Sequence, residues 1–275
     1  MEAVNMEKKN KILLTTICIL LFVVGFFVTK NIIDKNNEKQ VMKKEMINDN
    51  SKMVIRQMDD KIVFSEYIKD KYDAKQVFEK DGKKIAFLTF DDGPSHLTND
   101  ILDILKEYRI KATFFVVGNL AKENKNIIER QIREGHSIGN HTYTHDYKNI
   151  YSSVDVFVNE VDKTQNVIKS IVGSNYDIKL VRFPGGSFGN RLNPYKEAIK
   201  KKGYYNMDWN ALNGDAEGNN IPKEKLIQNI KNTIEGKNHV VVLMHDCGAK
   251  KTTVEALPDI IEHLISQGYE FKALK

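Results

Sequence analysis

"KIAFLTFDDGPSHLT", residues 84–98, decides how the rest of the chain is read. An apolar run from Ile85 to Phe90 reads as a buried strand. It ends on two adjacent carboxylates, Asp91 and Asp92, followed by Gly93 and Pro94. Like charges held that close raise each other's pKa and cost stability unless something compensates. A turn or helix cap would also use Asp, Gly and Pro, so the pair needs its surroundings.

Outward from this stretch, short apolar runs alternate with longer amphipathic ones from Lys83 onward. "KIAFLTF", "KATFFVVG", "HSIGN", "IKLVRF", "YYNMDWN", "HVVVLMH" and "YEFKAL" read as strands. "NDILDILKEYR", "AKENKNIIERQIREG", "VDVFVNEVDKTQNVIKSIVG", "PYKEAIKKKG", "PKEKLIQNIKNTIEG" and "TTVEALPDIIEHLISQG" read as the helices between them. Such alternation argues for βαβ units on a parallel sheet, an α/β fold. It suits a closed or nearly closed β/α barrel, or a doubly wound open sheet.

Both architectures place chemistry at the carboxyl ends of strands. Asp91 and Asp92 follow the first strand. His141 and His145 follow the third, in "GNHTYTHD". Arg182 ends the fourth, in "VRFPGGSFG". Asp215 follows the fifth, in "DWNALNGDA". His245 and Asp246 end the sixth, in "VVLMHDCG". Singly, each has a plain structural reading: a cap, an incidental histidine pair, a surface ion pair, a core histidine, or packing at Asp208 and Trp209. Together they converge on one end of the sheet. His141 and His145, four apart, would face the same way on a helical turn. Two imidazoles and one carboxylate make three ligands and leave a position for water, as in a catalytic zinc-type site. A second aspartate could then take a proton from that water, and a histidine from another strand could protonate a leaving group. This chemistry hydrolyses a C–N or C–O acyl bond.

"TFDDGP", "HTYTH", "RFPGG", "NGDA" and "LMH", in that order, resemble the five motifs of the NodB-homology polysaccharide deacetylases, carbohydrate esterase family 4. The resemblance spans residues 83–275, and is tightest in the first, second and fifth motifs. It implies a distorted (β/α)7-8 barrel that removes acetyl groups from N-acetylated sugars, or from acetylated xylan, with one divalent metal ion. Zinc is expected first, with cobalt, nickel or manganese as alternatives. Carried over by position, it makes Asp91 the catalytic base and Asp92, His141 and His145 the metal ligands. Arg182 would orient and hold Asp91, and His245 would be the general acid. The backbone N–H of Gly185 would help hold the developing oxyanion. Two positions depart from the pattern. Gly185 stands where a tyrosine is usual, and Ala216 where a tryptophan is usual. Asp215 is then the expected partner of His245, with Asp208, followed by Trp209, as the competitor.

The remaining features bear on location and partners. The net charge of +5 is spread along the chain. No Lys/Arg block is interleaved with aromatics, so a nucleic-acid partner is not expected. Cys18 and Cys247 are far apart and outside any CxxC pattern, so neither a disulfide nor a thiolate zinc site is expected. The segment Ile12 to Thr29 is uncharged and almost wholly apolar, long enough as a helix to cross a hydrocarbon core of about 30 Å. Lys11 and Lys30 would snorkel at its ends. It ends in "GFFVTKN", without a small-x-small cleavage site, so an uncleaved anchor is expected, with a cleaved signal as the alternative. The expected organisation is a cytoplasmic tail at 1–11, an anchor at 12–29, a stalk at 30–82 and the deacetylase domain at 83–275. That domain would lie outside the cell membrane, facing the wall, as a monomer. Peptidoglycan N-acetylglucosamine is the leading substrate. The alternatives are an exopolysaccharide, a chitooligosaccharide, a muramic-acid unit, or a non-catalytic glycan-binding role.

Overall fold

The structure is a computed structural model that describes residues 71–79 and 81–275. The tail, the anchor and most of the stalk expected from the sequence lie outside the described residues. Among the described residues no helix is long and apolar enough to cross a membrane.

The strands are β1 (Lys71–Tyr72), β2 (Ile85–Gly93), β3 (Thr113–Val116), β4 (Ser137–Asn140), β5 (Leu180–Val181), β6 (Tyr205–Asn206), β7 (Ala211–Leu212), β8 (His239–His245), β9 (Glu270–Phe271) and β10 (Ala273–Leu274). The helices are α1 (Thr98–Glu107), α2 (Gly118–Glu123), α3 (Lys125–Arg133), α4 (Tyr147–Ile150), α5 (Val154–Val172), α6 (Asn193–Lys201), α7 (Lys223–Ile234) and α8 (Lys251–Ser266). The main sheet has the order β6-β5-β4-β3-β2-β8-β7, with β9 also paired to β2. Every pairing is parallel.

The sheet has to curl. β6 and β7 are its two edges, yet only residues 207–210 separate them in the chain. A flat sheet would set those edges roughly 29 Å apart at about 4.8 Å per strand. The link from Asn206 to Ala211 reaches at most about 18 Å. The result is a curled parallel sheet, a half-barrel whose two edges are bridged by residues 207–210 at one seam. By its apolar run "YYNMDWN" reads as one strand. The chain instead leaves one edge at Asn206 and joins the opposite edge at Ala211. "YEFKAL" likewise divides, with β9 on β2 and β10 on β1.

Alternation along β2 explains the barrel's polarity. Ala86, Leu88 and Phe90 belong to the core under the helices, with Leu102, Leu105, Ile260 and Leu264. Ile85 and Phe87 point the other way and join Phe115, Leu180 and Val241 inside the barrel. Thr89 and Asp91 continue that inner face by period two. The interior therefore runs from apolar at the floor to charged at the mouth. Ala74 and Val77 are buried in the same floor cluster. β1 pairs with β10, and His239 Nδ1 lies 2.6 Å from the Val77 carbonyl oxygen. So residues 71–77, read from sequence as stalk, lie against the barrel floor. Their mixed Lys, Asp and aromatic composition hides two small buried contacts.

A chain starting at residue 83 would lose Ala74, Val77 and the β1–β10 pair. Burying a valine side chain is worth about 1.5–3 kcal/mol. At this size each kcal/mol moves Tm by about 2–4 °C. A melting temperature lower by at least roughly 3 °C than that of a chain starting at 70 is expected by calorimetry.

Candidate active site

Successive side chains on a regular strand face opposite ways, so two adjacent aspartates should not reach one site. The register between β2 and β3 shifts between Asp91 and Gly93. Asp92 takes a left-handed conformation at φ +69°. This bulge turns Asp92 back toward the mouth beside Asp91.

The second motif converges by a different route from the one the spacing suggested. Residues 141–146 form an irregular loop and not a helical turn. Thr142 (φ +68°) and His145 (φ +57°) are both left-handed, and these kinks bring the two imidazoles together. Their ring centroids are 5.0 Å apart. Glu160, buried on α5, holds the loop. Its Oε2 accepts from Tyr143 N–H (3.1 Å), Thr144 N–H (2.7 Å) and the Thr144 hydroxyl (2.8 Å). Nothing in the motif pointed to Glu160. A signal was present nonetheless: Phe157, Val161, Thr164 and Ile168 make the buried stripe of α5, and Glu160 falls on it.

Asp92 Oδ1 lies 3.1 Å from His145 Nε2 and 3.4 Å from His141 Nε2. Ligand atoms of the three residues all fall within 4.8 Å of one another. Despite these distances Asp92 Oδ1 is buried with no well-formed hydrogen bond. His141 Nδ1 is bonded to the Arg182 carbonyl oxygen at 2.8 Å, which fixes the ring and aims Nε2 at the cluster. An oxygen and two nitrogens aimed at one point, with the outer nitrogen of His141 already satisfied, fit a divalent cation. Burial alone would raise the Asp92 pKa. The close approach of the His141 imidazole, with His145 and His245 beside it, holds it well below the usual carboxylate range. Burial lowers His145, with His141 adding to the effect, so that ring favours its neutral, metal-binding form.

Asp91 is nearly fully buried, with Arg182 on its other side. Arg182 is 0% exposed, and its Nη1 donates to Asp91 Oδ1 at 2.8 Å and to the Thr89 hydroxyl at 2.7 Å. Its Nε donates to the Met207 carbonyl at 2.9 Å. The guanidinium sits 4.1 Å above the Phe115 ring. Across the β2–β8 register, Asp91 pairs with His245. His245 Nδ1 is 2.7 Å from Asp215 Oδ1, and its backbone N–H donates to Asp215 Oδ2 at 2.9 Å. The Thr253 hydroxyl also donates to Oδ2, at 2.7 Å. Burial pulls the His245 imidazole down. The Asp215 hydrogen bond and charge, with Asp91 and Asp92 behind, outweigh it and hold the pKa up at about 9. Asp208 turns elsewhere, accepting from the Ser187 N–H (3.0 Å) and hydroxyl (2.6 Å). Of the two aspartates the sequence left open, Asp215 is the one against His245.

Gly185 occupies a tight turn. Gly186 N–H donates to the Phe183 carbonyl at 2.8 Å, Pro184 is the first central residue, and Gly185 is the second at φ +76°. This is the signature of a type II turn, which calls for glycine there. The Gly185 N–H has no backbone partner among the described residues. Cys247 is partly buried and unpaired, and its thiol is pushed up by burial.

Replacing Glu160 with alanine would leave two backbone N–H groups without an acceptor and free the loop that carries His145. Removing such an outer partner typically weakens metal binding by about 10–100-fold. Zinc competition against a chromophoric chelator should show that loss, while the circular dichroism spectrum stays that of the folded chain.

A sequence profile of the polysaccharide deacetylases matches residues 78–207. A peptidoglycan-N-acetylglucosamine deacetylase of Bacillus cereus is 30% identical over 270 residues, covering 97% of this chain and 92% of that protein. Among solved structures, a carbohydrate esterase family 4 esterase of Streptococcus mutans superposes with a TM-score of 0.71 at 34% identity, covering 76% of this chain and 94% of that one. The polysaccharide deacetylase Bc1974 of Bacillus cereus superposes at 0.64, also at 34% identity, covering 70% and 92%. The chain belongs to the polysaccharide deacetylase family, carbohydrate esterase family 4, and is a hydrolase of that kind.

Proposed function

We propose that this chain removes N-acetyl groups from peptidoglycan N-acetylglucosamine, releasing acetate, with a divalent metal held by Asp92, His141 and His145. The observation that carries the proposal is the position of Asp91, between that cluster and the buried Arg182, and in register with His245. The donor set of one carboxylate and two imidazoles suits zinc and also admits cobalt, nickel or manganese. When bound, such an ion supplies a Lewis acid and makes water a better nucleophile at neutral pH.

The chain's own groups account for the proton movements. Asp91, its Oδ1 fixed by Arg182, takes a proton from the attacking water. The water oxygen bonds to the acetyl carbon, and the carbonyl oxygen gains charge near the Gly185 N–H. His245 has its Nδ1 engaged by Asp215, and its Nε2 has no hydrogen bond among the described residues. Nε2 gives its proton to the departing nitrogen. The C–N bond breaks, leaving acetate and a free amine on the sugar. A pKa of about 9 keeps His245 protonated at neutral pH, as an acid must be. The apolar segment Ile12–Thr29 supports anchoring at the cell membrane, with the barrel on the wall side.

Acetate release from peptidoglycan or N-acetylglucosamine oligomers with added zinc or cobalt is the direct test. No release from any N-acetylated glycan by metal-loaded protein would overturn the reading. Asp91→Asn should abolish turnover and keep the metal; loss of metal instead would mean that the two aspartates have exchanged roles. Activity should fall on the alkaline side, at a pH above the ordinary imidazole range, as His245 loses its proton. Asp215→Asn removes what holds that pKa up. It should move the alkaline limb to lower pH and cut kcat by about 10²–10⁴-fold, read from a pH–rate profile.

A further inference from the structure

Four large hydrophobic side chains are exposed among the described residues: Phe78, Tyr147, Phe188 and Ile265. Tyr147 is 50% exposed and Phe188 61%. These two flank a single turn, the one that follows Arg182. A Cβ placed on Gly185 would come 2.9 Å from Tyr147 Cε1 and 3.1 Å from its hydroxyl. A Cβ on Gly186 would come 2.8 Å from Phe188 Cε2 and 2.9 Å from Trp209 Cη2. Each ring lies against one of two consecutive glycines, in the place a side chain there would take. With neighbouring Cα atoms 3.8 Å apart, the near edges of the rings are no more than roughly 12 Å apart.

Both rings are held in place. Asp146 caps α4 by accepting from Lys148 and Asn149 N–H, which sets Tyr147 at the helix start. The Tyr147 ring meets His145 edge-on, at 5.3 Å and 88°. Phe188 meets Trp209 edge-on, at 5.1 Å and 86°, and Trp209 in turn lies 5.7 Å from the Arg182 guanidinium. Rigid aromatic rings left half in water are the usual anchors of a recognition surface. These adjoin a centre that acts on a sugar-borne acetyl group. A pyranose ring is flat, carries C–H groups on its faces and hydroxyls on its rim. It packs its face on an aromatic ring while its rim stays hydrated.

On the deacetylase reading above, we infer that Tyr147 and Phe188 are two sugar-stacking positions of an extended glycan groove. Tyr147, beside His145, carries the sugar bearing the reacting acetyl group. Phe188, farther from the cluster, carries a neighbouring unit of the same chain. In this protein Tyr147 supplies, from the start of α4, the aromatic wall that position 185 lacks.

The test uses zinc-loaded full-length protein and N-acetylglucosamine oligomers of increasing length. Acetate release and calorimetric binding are measured in parallel. Tyr147→Ala should raise KM and the dissociation constant on the order of tenfold at every length, as loss of one aromatic contact implies. Phe188→Ala should raise them increasingly with chain length, most for the longest oligomer. Tyr147→Phe and Phe188→Trp should recover most of the loss. Zinc affinity should stay that of the wild type in all four, which separates lost stacking from a damaged site. If the wild type is active and both alanine variants keep its KM at every length, the stacking assignment is overturned. If the wild type releases no acetate from any oligomer, the deacetylase reading fails. The binding curves then judge the groove alone: weaker oligomer binding in both alanine variants supports it, and unchanged binding overturns it.

Discussion

The buried pair of Arg182 and Asp91 is the constraint on which the rest of the site depends. A fully buried guanidinium is tolerable only when its donors are used and its charge is matched. Here the donors go to Asp91, to Thr89 and to the carbonyls of Met207 and Asp208, and the face rests on Phe115. Removing one partner from such a pair typically costs about 3–5 kcal/mol, because the other charge is left uncompensated. The same residue's carbonyl orients His141. One arginine therefore fixes the position of Asp91, the aim of His141 and the lining of the barrel above its apolar floor.

Around that pair, the backbone departs from ordinary geometry just where Asp92, His141 and His145 converge. Asp92, Thr142 and His145 all have positive φ without being glycine. Conformations of this kind cost of order 1–3 kcal/mol each and persist only where the surroundings enforce them. The enforcement is visible: the β2–β8 pairing holds Asp91 against His245, and Glu160 grips the loop between the two histidines. What looked from sequence like two repelling carboxylates is a bulge that gives them different neighbours, Arg182 for one and two imidazoles for the other.

Much of this was legible in the residues. The alternation of strands and helices, and the polar groups at strand ends, led to a parallel α/β fold with one charged mouth. Asp92, His141 and His145 do come together, as do Asp91 with Arg182 and Asp215 with His245. What stayed hidden depended on contacts distant in sequence. Two-residue strands such as β6 and β7 carry too little periodicity to be separated within "YYNMDWN". Spacing alone suggested a helical turn for "HTYTH", because a left-handed kink leaves no trace in composition. The role of residues 71–77 rests on pairing with the far end of the chain, and Glu160 on a loop that folds back over α5. Tyr147 and Gly185, 38 positions apart, gave no hint that one ring lies on the other's missing side chain.

The seam between β6 and β7 has a consequence for motion. β2 is bonded to β3, β8 and β9 and lies deep in the ladder, whereas each seam strand is two residues long and pairs on one side only. Backbone amides in β2 and β8 should then be the slowest in the protein to exchange with solvent, and those at 205–212 among the first to open. The link across this seam supplies the Met207 and Asp208 carbonyls that grip Arg182. Transient parting of the barrel and loosening of the arginine would be one event, with the least protected stretch of the wall holding the most deeply buried charge.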